Sequence, residues 1–115
     1  MFQIQSITDI VVPVTIEVPG AKEPSTIRAR WRLNSVSKTQ EIVQAQRDKE
    51  NPLTDDQLVE QDLLGLEDVT DADGNPVSFS TELVAQLMDI PYVRRPLVLS
   101  WFQAQAGRGE AAAKN

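Results

Sequence analysis

The sequence predicts an α+β domain: an N-terminal antiparallel β hairpin followed by about four helices, with a disordered C-terminal tail. Three observations carry this. Residues 10–18 and 27–33 alternate in polarity with the period of two that marks a half-buried strand. Beyond residue 36, apolar residues recur at helical spacing behind capping residues and prolines. After Gly107, the stretch Arg108-Gly109-Glu110-Ala111-Ala112-Ala113-Lys114-Asn115 offers nothing to bury. We therefore expect one domain over residues 1–106 and a flexible tail over 107–115.

In the first strand Ile10, Val12, Val14, Ile16 and Val18 share one face, and Pro13 requires a sheet edge or a bulge because it has no N–H to donate. Pro19-Gly20 opens a turn-rich connection. The second strand then sets Ile27, Ala29, Trp31 and Leu33 inward and Arg28, Arg30 and Arg32 outward. Ser37 and Gln40 have the spacing of a capping box and predict a helix over 38–49, with a thin apolar side on Ile42, Val43 and Ala45. Thr54 and Gln57 repeat that signature, and Val59, Leu63 and Leu66 extend a second helix to about residue 66. Asp71 to Pro76 is a turn. Ser80 caps a third helix stapled by Phe79 and Val84, and Pro91 opens a fourth that buries Leu97, Val98, Trp101 and Phe102, which Pro96 either kinks or truly starts.

Composition narrows the function. The 115 residues contain no cysteine and no histidine, which removes disulfides, the common zinc sites, cysteine nucleophiles and the usual acid–base group near neutrality. The expectation is a binding protein: not an enzyme, with no catalytic residues, no cofactor and no metal site. Residues 48–73 hold ten of the seventeen acids and a single base, Lys49, within a net charge of −6, which argues against nucleic acid. Asp71, Asp73 and Gly74 lack the register of a calcium loop. No run is long and apolar enough for a membrane span, and residues 1–19 lack the character of a secretion signal, so a cytoplasmic protein is expected.

Candidate contact residues are the outward stripe Arg28, Arg30 and Arg32, which can take carboxylates bidentately. Pairing within the protein, with Glu17 or with the acidic segment, is the competing assignment for that stripe. Ile42 and Val43 on the thinly apolar helix, and Arg94 and Arg95 beside aromatic residues, complete the set.

The run Gly65-Leu66-Glu67-Asp68-Val69-Thr70-Asp71-Ala72-Asp73-Gly74-Asn75-Pro76-Val77-Ser78-Phe79-Ser80, with Leu83, Leu87 and Ile90-Pro91-Tyr92-Val93, resembles the second half of the tail assembly chaperones of long-tailed, siphovirus-type bacteriophages and prophages. The β pair around Val18-Pro19-Gly20, the strand from Ile27 to Leu33 and the helix after it are similar to the first half, so the resemblance spans about residues 8–106. Leu66 stands where that family carries a tryptophan.

The resemblance implies a non-catalytic protein of the host cytoplasm, absent from the mature virion. It would bind the tape measure protein in multiple self-associating copies, hold it soluble, and hand it to the tail tube protein. It also implies a longer product made by ribosomal frameshifting, for which Ala113-Lys114-Asn115 can be encoded by a slippery heptamer. A structural tail component retained in the virion, such as a connector or tube-completion protein, is the rival expectation, and an acidic mimic of nucleic acid is a third.

Overall fold

The computed structural model describes residues 1–111. Two strands, β1 (Asp9–Ile16) and β2 (Ser25–Arg32), form the expected hairpin, in register from Asp9 opposite Arg32 to Ile16 opposite Ser25. The helices are α1 (Val36–Gln46), α2 (Asp55–Asp62), α3 (Thr81–Met88) and α4 (Pro91–Gln105). Two further strands, β3 (Leu63–Glu67) and β4 (Glu110–Ala111), complete a four-stranded antiparallel sheet ordered β3-β2-β1-β4. The α+β class and the hairpin-first order agree with the sequence reading.

The core lies between the inner face of the sheet and α4, where Ile10, Val12, Val14, Ile27, Ala29 and Trp31 meet Leu97, Val98, Trp101 and Ala104. Alternation in the hairpin produces this directly, since every second side chain points at the helix. Pro91 sits at the first turn of α4, where a missing N–H costs nothing, and Pro96 is accommodated inside an otherwise continuous helix. Beyond Val11, no strand of the described residues covers the outer edge of β1. Pro13 lies along that stretch, as a strand proline must.

Three boundaries differ from expectation. Helix α1 begins two residues early: Ser35 is the cap, accepting from the Lys38 N–H, and the helix stops at Gln46. The Asp48 carboxylate accepts from the Glu50 and Asn51 amides and turns the chain there. Helix α2 keeps its full Thr54–Gln57 capping box but ends at Asp62, because Leu63 to Glu67 pair with the free edge of β2, Leu63 opposite Trp31 and Leu66 opposite Ala29. The apolar spacing that suggested more helix serves a strand instead, and Gly65 no longer weakens a helix interior.

The tail is the third difference. Glu110 and Ala111 return to pair with Val11 and Ile10, a placement that depends on Gly109 at φ 139°. A Cβ at Gly109 would come within 2.5 Å of the Val11 carbonyl oxygen. Ala113, Lys114 and Asn115, on which the frameshift expectation rests, lie outside the described residues. Among the described residues no helix is long and apolar enough to cross a membrane.

Candidate interaction surface

The arginine stripe is built as the alternation requires, with Arg28, Arg30 and Arg32 on the outer face of β2. Each guanidinium has a carboxylate of the same chain within 3.6 Å: Glu67 and Glu110 at Arg28, Asp9 at Arg30, and Asp62 at Arg32. Pairing within the protein thus occurs, with Glu67 of β3 and Asp62 of α2 from the acidic segment and with Asp9 and Glu110 brought in by β1 and β4, but not with Glu17. Each exposed pair is longer than a charge-assisted hydrogen bond and contributes under about 1 kcal/mol. The stripe is a neutralised sheet face.

Asp62 stands apart from the other acids. It is fully buried at the end of α2, and its carboxylate accepts from the Trp101 indole N–H at 2.7 Å, the Asn34 amide at 2.9 Å and the Gln61 amide at 3.3 Å. A second set of bonds lies beside it. The Trp31 indole donates to the Ser100 hydroxyl at 2.8 Å, and that hydroxyl donates to the Leu97 carbonyl. The Gln105 amide accepts from the Asn34 N–H and donates to the Arg32 carbonyl. These bonds fix the rotation of α4 about its own axis relative to β2.

The remaining expected contacts divide. Ile42 is only 4% exposed and belongs to the core, so it is not available to a partner; helix α1 needs that side chain to attach to the domain. Val43 is half-buried beside it. Arg94 is held by both oxygens of Asp56 at 3.0 Å and by the Met88 carbonyl at 3.2 Å. Arg95 is exposed, and among the described residues no carboxylate pairs with it.

The hydrogen bonds from Arg94 hold the Asp56 carboxyl below its ordinary value of 3.8. The clamp therefore contributes fully above that ordinary value and is lost as pH falls through the depressed one. Because both groups are largely solvated, its worth is under about 1 kcal/mol. In urea titrations the stability gap between the wild type and Arg94→Gln is expected to be full at pH 7 and to shrink only once the pH falls below the ordinary carboxyl value of 3.8.

The Asp71 carboxylate, which invited a calcium reading, is occupied by its own turn, accepting from the Asp73 and Asn75 N–H groups at 2.9 and 3.0 Å.

The sequence points to part of the outward face of α4, through Arg95 and the aromatic residues near it, but not to Leu99 or to a continuous seam. Tyr92, Leu99 and Phe102 are exposed there, and Phe102 meets the buried Trp101 edge-on, ring centroids 4.8 Å apart. With Arg95 they occupy positions i, i+3, i+7 and i+10, the a/d spacing of a helix seam, over about 15 Å of axis. The signal is present in the spacing, but assigning most of Phe102 to the core conceals it.

Comparisons with protein-family models, with curated proteins and with solved structures find no match to this chain.

Proposed function

We propose that the chain is a non-catalytic chaperone of phage tail assembly that binds the long helical tape measure protein and keeps it soluble until the tail tube forms around it. The observation that carries this is the seam on α4. An apolar stripe at heptad spacing, left without a partner on a domain that buries Trp31 and Trp101 completely, fits the stripe of another helix laid alongside.

The reading also draws on the resemblance over residues 8–106. Three large apolar side chains make a weak individual site, and repetition along a long helix supplies the avidity. The net charge of −6 keeps a decorated assembly dispersed. Arg95 adds a cation that pairs with an acidic flank of the bound helix.

Co-expression with a long helical tape measure protein tests the reading. That protein is expected to become soluble and to copurify with the chain. Leu99→Asp, at a side chain already 48% exposed, is expected to weaken the complex at least tenfold, about 1.4 kcal/mol, without altering the fold. Unchanged solubility of the tape measure protein with and without the chain would overturn the proposal.

A further inference from the structure

The segment before β1 has no regular secondary structure, and its apolar side chains are bare: Phe2 is 86% and Ile4 88% exposed, and Met1 is fully so. Only Ile7 joins the core. Scattered exposed apolar residues are ordinary, but three within four positions, nearly stripped of contacts, are not. The pattern Phe2-Gln3-Ile4-Gln5 alternates, so an extended form sets Phe2 and Ile4 on one side and the two amides on the other.

An apolar groove of about 370 Å³ opens between α2 and α3, floored by Val59, Leu63, Val84 and Met88 with Phe79 as a wall. Its rim carries Glu60 and Thr81, which can accept hydrogen bonds from glutamine amides. None of residues 1–8 lines it. The sheet register places this groove near the root of the arm. Ile10 stands opposite Trp31 and Trp31 opposite Leu63, so Leu63 lies two strands, about 10 Å, from where the arm begins. Eight extended residues reach about 26 Å.

We propose that residues 1–6 of one copy lie in the α2–α3 groove of a second copy, reciprocally, forming a two-fold dimer. The arm leaves the sheet at the end where the groove opens. Two copies facing each other across that end present each arm to the other's groove, as a symmetric exchange requires. Phe2 and Ile4 fill the apolar floor while Gln3 and Gln5 face the Glu60 and Thr81 rim.

The size is adequate. A buried phenylalanine alone removes roughly 150–250 Å² from water. Phe2 and Ile4 of each arm, taken twice with the surfaces they cover, reach the lower end of the roughly 1,200–2,000 Å² of a specific interface. The α4 seam is not used, so the dimer stands or falls independently of tape measure binding.

The chain has no cysteine, so introduced thiols are unambiguous. Isotopically labelled Ile4→Cys protein mixed with unlabelled protein carrying Ala85→Cys, a position that also lines the groove, and oxidised is expected to yield a disulfide linking position 4 of one chain to position 85 of the other, read by peptide mass. By light scattering the wild type is expected to have twice the chain mass. The Phe2→Ser/Ile4→Ser variant is expected to dissociate at least tenfold more readily with an unchanged circular dichroism spectrum.

A wild type that stays monomeric overturns the proposal, and so does a dimer indifferent to those serines. It is equally overturned if the Ile4→Cys/Ala85→Cys double variant closes within one chain while the mixture gives no cross-link, since the arm then serves its own groove.

Discussion

Replacing Asp62 with alanine is expected to destabilise the domain by about 3 kcal/mol, a large share of the roughly 5–15 kcal/mol that folds a domain of this size. The carboxylate is fully buried, and its removal leaves the Trp101 indole N–H without an acceptor in a place water does not reach. An orphaned buried donor costs about 1–3 kcal/mol. The Asn34 amide loses its acceptor at the same time, Arg32 loses its counter-charge, and a small void remains.

Asp62→Asn separates the contributions. It retains one oxygen, which can still face Trp101 and Asn34, but turns an NH₂ toward the donors of Gln61 and Arg32. Those two groups lie nearer solvent, so a loss of about 1–2 kcal/mol is expected. Urea titrations at pH 7 measure both variants; equal losses would mean that the charge on Asp62, not its hydrogen-bonding geometry, holds the end of α2.

The hairpin was legible because its evidence is local. Four inward positions in β1 and three in β2 repeat with period two, and the turn chemistry of Pro19-Gly20 lies between them. Helices α3 and α4 were legible for the same reason, through Ser80 and Pro91. β3 was not, because Val59, Leu63 and Leu66 satisfy a helical period equally well, and what selects the strand is the free edge of β2, a partner more than thirty residues away.

β4 was invisible in principle. Two residues, one charged and one alanine, carry no periodicity, and the pairing depends on a backbone conformation at Gly109 that composition does not announce.

The candidate site divides along the same line. That Arg28, Arg30 and Arg32 share a face followed from alternation, but their partners Asp9, Glu67 and Glu110 come together only through the order of strands in the sheet. Asp62 was hidden among ten acids. Its signal was positional: Leu58, Val59 and Asp62 fall on one side of α2, and an acid on an apolar face must find donors inside. Ile42 was offered as a contact because α1 has so little apolar surface. That scarcity is the reason it is buried, since a helix with one good anchor must use it.

Trp31→Ala is expected to cost about 3–5 kcal/mol, at the upper end for a core truncation. The indole is fully buried near the end of β2, between Ile10 on one neighbouring strand and Leu63 on the other, so neither can collapse into the void without leaving its register. The polar side of the loss is small. Ser100 accepts from the indole but donates to the Leu97 carbonyl, and that donation survives.

Ser100→Ala makes the opposite change, keeping the volume and removing the acceptor, so the indole N–H is stranded at a cost of about 1–3 kcal/mol. Once Trp31 is gone there is no donor to strand. The double variant should therefore be scarcely less stable than Trp31→Ala alone, and a double-mutant cycle followed by circular dichroism should return a coupling of about 1 kcal/mol or more. Strict additivity would mean that the bond contributes nothing to fixing α4 on the sheet. The outward direction of Tyr92, Leu99 and Phe102 would then rest on apolar packing alone.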